Sequence, residues 1–116
     1  MTDVTPIPVT SFHWGAEHDR ITEHTWISLI VAPSGTMRLL GYDMGPETRA
    51  MTGEYDYGYW LDIAADDVPD FMARVLELAM TGSNATFDEL RAACDNHGIP
   101  YTEGAAPYSD DLEKIT

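Results

Sequence analysis

Residues 54–63, Glu-Tyr-Asp-Tyr-Gly-Tyr-Trp-Leu-Asp-Ile, constrain the fold more tightly than any other stretch. Polar or small residues alternate with large ones along the run, with Trp60 the one large residue at a polar position. Side chains of a β-strand point to opposite faces with period two. Tyr55, Tyr57, Tyr59, Leu61 and Ile63 therefore fall on one face, and Glu54, Asp56, Gly58, Trp60 and Asp62 on the other. A strand with an aromatic, aliphatic side and an acidic side requires a sheet that is covered on one face.

The flanking chain supplies the rest of that sheet and its cover. Residues 25–32, Thr-Trp-Ile-Ser-Leu-Ile-Val-Ala, are β-branched and apolar and stop at Pro33. Pro33-Ser34-Gly35 reads as a turn, and residues 36–43 as the returning strand of a hairpin. Ile27, Leu29 and Val31 are expected on one face, with Trp26 and Ile30 on the other, so Trp26 falls on the side of Trp60. Residues 44–53 open with Gly45-Pro46 and close with Gly53, and they read as a long loop. Asp66 and Asp67, with Pro69 just inside, are expected to cap a helix running to about Met80. Its apolar face is read as Val68, Phe71, Met72, Val75, Leu76 and Ala79. Thr86 and Glu89 form a capping box for a second helix to about Asn96, with Phe87, Leu90, Ala93 and Cys94 inward. Residues 1–12 read as an extended leader pairing at a sheet edge near Ile7 and Val9. Residues 13–24 read as a loop, and residues 102–116 as a frayed acidic tail. The whole chain, residues 1–116, is one domain of α+β class: an antiparallel β-sheet of three to five strands with two helices packed on one face.

Charge narrows the function. Twenty carboxylates face six basic residues, a formal net charge of −14. That field repels nucleic acid and anionic membrane and accelerates encounter with a basic protein. It exceeds the magnitude of roughly 2–8 that keeps a small domain soluble. No apolar run is long enough to span a membrane. No basic stretch followed by an apolar run marks a secretory signal. The lone Cys94 has no intramolecular disulfide partner, so a reducing, cytoplasmic location is expected.

Catalytic constellations are weak. His13, His18 and His24 lie near Glu17, Asp19 and Glu23, but their spacing converges on no single point, and no metal site is expected. Cys94 falls on the inward face of its helix, three residues before His97, and reads as a small core hydrophobe. No Gly-rich phosphate loop occurs, and no basic residue lies between Arg49 and Arg74. Glu54, Asp56 and Asp62 stand at alternate strand positions, roughly 7 Å per step, a spacing that acid–base pairs of glycosidases use. A sugar-binding cleft has no source in so short a chain. No enzyme activity and no cofactor are therefore expected.

The segments Leu40-Gly41-Tyr42-Asp43-Met44-Gly45-Pro46 and Glu54-Tyr55-Asp56-Tyr57-Gly58-Tyr59-Trp60-Leu61, leading into Ala64-Ala65-Asp66-Asp67-Val68-Pro69, carry a resemblance. With His97-Gly98-Ile99-Pro100-Tyr101 they resemble a group of small uncharacterised bacterial proteins of the actinobacterial kind, over roughly residues 20–102. These motifs are turns, a strand and a helix cap, so the resemblance implies no catalytic residues. In size and acidity the chain is also similar to immunity proteins that neutralise bacterial toxins. The expected function is an acidic protein-binding module, an immunity protein or inhibitor gripping a basic partner such as a toxin nuclease. Its expected contacts are Glu54, Asp56, Trp60 and Asp62 on the strand, Asp43 and Glu47 at the loop, and Trp26 beside them. Two alternatives are a small-ligand binder or enzyme with a pocket lined by Tyr55, Tyr57 and Tyr59, and a homodimer closed through the tryptophan face. The chain alone is expected to be a monomer or a homodimer.

Overall fold

The computed structural model describes residues 10–17, 24–82 and 86–115. In chain order the strands and helices are β1 (Thr10–Glu17), β2 (His24–Val31), β3 (Met37–Met44), α1 (Pro46–Thr52), β4 (Asp56–Ile63), α2 (Val68–Met80), α3 (Phe87–His97) and β5 (Thr102–Pro107). The strands form one antiparallel meander in the order β1-β2-β3-β4-β5. The α+β class and the sheet's antiparallel sense match the sequence reading, with the strand number at its upper bound. The expected pairing of the leader near Ile7 and Val9 lies outside the described residues. So do residues 18–23 of the expected 13–24 loop, whereas its residues 13–17 and 24 are strand, because the chain here pairs along the ladder of β1 with β2.

The inner face of the sheet carries the core. Ile27 and Leu29 from β2, Met37 and Leu39 from β3, and Leu61 and Ile63 from β4 are buried there. They meet Phe71 of α2 and Phe87, Leu90 and Cys94 of α3, with Ile99 closing one end. Fully burying each such side chain contributes about 1.5–3 kcal/mol, so this cluster is the main driving force for the fold. Alternation explains it: Leu39 pairs with both Leu29 and Leu61 across the ladders, so one apolar stripe crosses three strands.

Several local expectations change. The 44–53 loop is largely helix: Pro46 sits in its first turn, and Gly53 ends it in the left-handed conformation, φ 85°, with its N–H bonded to the Arg49 carbonyl. Proline at the start and glycine just past the end are the stop signals of a short helix. Asp66 and Asp67 make no side-chain cap for α2; the chain enters it through a 3-10 turn at Ala65–Asp67. Their contribution is negative charge at the positive end of the helix. Leu76 is 59% exposed, not inward, and Ala79 is exposed, because Val68, Met72, Val75 and Leu78 take the core side of α2. On α3 the expected cap forms: the Thr86 side chain accepts from the Glu89 N–H.

The tail reading of residues 102–116 gives way to structure. Thr102–Pro107 pairs along β4 as β5, and residues 110–113 form a 3-10 turn. This returning segment lies on the outer face of the sheet. A Cβ built on Gly58 would stand 2.4 Å from Leu112 Cδ1, so the missing side chain at position 58 is the notch that seats Leu112.

Candidate functional site

The expected contacts divide between the two faces. Trp26, Asp56, Trp60 and Asp62 belong to the outer face, on which ladder partners Trp26, Tyr42 and Gly58 line up across β2, β3 and β4. Glu54 and Tyr55 precede β4 and are exposed; neither belongs to the strand's alternation. Asp43 lies on the inner side with Tyr57 and Tyr59, and Glu47 joins it from α1.

Much of the outer face is engaged with itself. The Arg38 guanidinium forks onto Asp62, with Nε to Oδ1 at 2.7 Å and Nη2 to Oδ2 at 2.8 Å. Its third nitrogen donates to the Leu112 carbonyl at 2.8 Å, and its carbon lies 4.8 Å from the centre of the Trp60 ring. Asp62 is thus paired, and Trp60 is half-buried between Arg38 and the backbone of Gly104, where an added Cβ would come within 2.3 Å of the indole. Trp26 stacks on Tyr42 at 5.5 Å, and Tyr42 meets Tyr108 at 4.1 Å. The Tyr108 hydroxyl donates to Glu113. Burial raises the Tyr42 pKa, and the neighbouring Asp56 carboxylate raises it further. At the Gly58–Trp60 end the outer face is covered in part by residues 108–113 of the chain itself.

The inner side holds a cavity that α2 and α3 do not fill. It measures about 260 Å³ and is lined by Thr25, Asp43, Glu47, Thr48, Met51, Thr52, Tyr57 and Tyr59. Three devices hold Tyr59 in place. Its ring crosses Gly41, where a Cβ would stand 1.9 Å from Cε2. Its edge meets Phe87 at 4.7 Å and 87°. Its hydroxyl donates to Asp43 Oδ1 at 2.8 Å. Burial foremost, then that hydrogen bond and the charges of Asp43 and Asp88, push the Tyr59 pKa far above its ordinary value. The group therefore remains a phenol and a donor, and Asp43 is its acceptor. Across the cavity, α1 presents Glu47, Thr48, Met51 and Thr52. The Thr52 hydroxyl bonds the Thr48 carbonyl at 2.7 Å, which fixes the last turn of the helix.

Nucleophile chemistry finds no support at Cys94. The thiol is fully buried, and burial pushes its pKa up to about 11. Thiolates of catalytic cysteines need the opposite shift. Among the described residues no group of His, Cys, Asp and Glu could hold a metal ion, and no helix is long and apolar enough to cross a membrane.

No family model, curated protein or solved structure matches the chain. The site is therefore read from its own geometry. Sequence reasoning named Asp43, Glu47, Tyr57 and Tyr59 but assigned the acids to one surface and the tyrosines to another. The missing signal was α1, which joins the two sets; Gly45-Pro46 with Gly53 at the far end was its trace in the sequence.

Proposed function

We propose that this chain is a non-catalytic, acidic binding module that captures a basic protein, in its concrete form an immunity protein or inhibitor that neutralises a toxin such as a nuclease. The observation that carries the reading is how the few basic residues are used. Arg38 pairs with Asp62, Arg74 with Asp70 and Glu77, Arg91 with Asp88 and Glu103, and Lys114 with Asp111. Of the described basic residues only Arg49 stands outside these pairs. Each pair neutralises carboxylates already close to it, so the remaining acids keep their field. That field suits a basic surface and would raise the rate of encounter with it.

Capture from an extract of the native host at low salt, with elution by a salt gradient and identification by mass spectrometry, tests this. A basic protein retained in stoichiometric amount and released by salt is the expected result. A chain that retains no basic protein and runs as a salt-insensitive dimer would overturn it.

One observation favours a second reading, a small-ligand binder. Tyr57 and Tyr59 line a real cavity, although Tyr55 does not. Its volume is below the roughly 300–1,000 Å³ of sites for drug-sized ligands and cofactors, so any such ligand is small.

A further inference from the structure

We propose that the outer edge of β5 is a docking edge for an extended, basic segment of a partner protein, which joins the sheet as one more antiparallel strand. The inference rests on the reading of the chain as a partner of basic proteins, and it names the form in which that partner is held.

The phase of the ladder decides which groups the edge offers. β5 ends the strand order, so β4 is its neighbour on one side only. In an antiparallel ladder, residues that exchange hydrogen bonds with the neighbour alternate with residues whose N–H and C=O point away from it. The Tyr108 N–H donates to the Asp56 carbonyl at 3.2 Å, one step beyond the Tyr57–Pro107 pair. Thr102, Gly104 and Ala106 share that phase and bond to β4. Glu103, Ala105 and Pro107 therefore turn their main chain outward, with two N–H donors and three carbonyl acceptors. All three residues are exposed. Among the described residues no hydrogen bond reaches these groups.

Natural sheet edges are blunted by lysine, by bulges, by proline or by a covering segment, because an open edge is a template for another strand. β5 has no lysine, and its register runs without a bulge from Thr102 to Pro107. Its proline stands at the far end and removes one donor. The middle of the edge is Gly-Ala-Ala, with no bulky side chain to hinder an arriving strand.

Charge and packing choose the occupant. Glu103 lies on the inner side of the sheet, where the Arg91 guanidinium stands 3.6 Å from it and 3.7 Å from Asp88. Asp95 accepts from the Tyr101 hydroxyl beside them. Three carboxylates thus outnumber one guanidinium along this side, and Glu103 remains 56% exposed. A lysine or arginine directly opposite Glu103 would form a cross-strand pair of opposite charge. On the outer side a Cβ at Gly104 would stand 2.3 Å from the Trp60 ring, so the indole spreads from β4 over β5 and offers an apolar neighbour. The fitting segment alternates basic with apolar residues. A second copy of this chain is the poorer guest, because it brings a further charge of −14 to the same edge.

The test is amide hydrogen exchange by NMR on the full chain, alone and with a peptide of about seven residues in which lysine alternates with valine. In the free chain the Glu103 and Ala105 amides should exchange faster than those of Gly104 and Ala106. The peptide should slow them at least about tenfold at saturation, with an affinity on the order of millimolar. Its lysines face Glu103 and Ala105, so their N–H groups are the ones that bond β5. N-methylation of the lysines should abolish docking, and N-methylation of the valines should not. A glutamate–valine peptide should fail to dock. Ala105→Pro removes a donor that β4 does not use and should weaken docking about tenfold. Glu103→Lys, which leaves the main chain intact, should weaken it as well. Glu103 and Ala105 amides as slow as their neighbours in the free monomer would overturn the inference, and so would equal binding of the two methylated peptides. Protection that appears only as the free chain dimerises would make a second copy the occupant and overturn it too. If a basic protein is nevertheless captured from extract, the general reading stands and only the role of β5 is lost. Docking of the peptide with no basic protein captured would support the edge and remove the general reading.

Discussion

Three groups converge on the Arg38 guanidinium: the Asp62 carboxylate, the Leu112 carbonyl and the Trp60 ring. Removing it leaves a partly buried carboxylate and a carbonyl without their donor. Arg38→Ala should therefore cost about 2–3 kcal/mol, read as a lower urea midpoint, and Arg38→Lys should recover only part because an ammonium cannot fork. A loss within about 0.5 kcal/mol would mean that these contacts behave as ordinary surface pairs. Titration gives a second prediction at this scale. Burial, helped by Asp95 and Asp70, raises the Cys94 pKa from 9.0 to about 11, and burial with Glu113 raises that of Tyr108 from 10.0 to about 12. Both groups are thus kept protonated by folding. Their contribution to stability is complete below pH 9.0 and is lost as pH rises through about 11 and then about 12. Urea midpoints should fall from pH 9 upward, and Cys94→Ala should flatten the first part of that fall. A midpoint independent of alkaline pH in the wild-type chain would contradict the assignment.

Among elements, the segment after β5 carries the clearest consequence. Leu112 fills the notch over Gly58, and Tyr108 closes on Tyr42. Because Leu112 is only half-buried, Leu112→Ala should cost about 1–2 kcal/mol, below the range for a fully buried leucine. It should also increase acrylamide quenching of Trp60, with unchanged quenching as the contrary result. This segment was illegible in the sequence for a physical reason. Thr102–Pro107 holds no β-branched residue beyond its first position and no aromatic; it is a strand because β4 offers it a ladder. By contrast β4 carried period-two alternation, β2 and β3 were read as an apolar run and its return strand about the Pro33-Ser34-Gly35 turn, and α3 carried its Thr86 cap, so these elements were readable. Leu76 was misplaced because 3.6-residue spacing alone fits two adjacent faces of α2; packing against Phe71 and its neighbours chose the one containing Leu78. Asp43, Glu47, Tyr57 and Tyr59 were each visible as chemistry, but their meeting depends on the fold of α1, which a ten-residue window without apolar periodicity did not announce.

For the whole molecule the governing quantity is the net charge of −14, concentrated on a small domain whose basic side chains are largely paired internally. Self-repulsion of that size weakens the compact state and favours a partner that relieves it. The most direct measurement is the affinity of the captured basic protein by isothermal titration across a salt series, with the wild-type chain and Asp43→Asn compared side by side. The account predicts an affinity that falls at least about tenfold between low and physiological salt, with Asp43→Asn weaker than wild type at every salt concentration. An affinity that is flat in salt and unchanged by Asp43→Asn would contradict it.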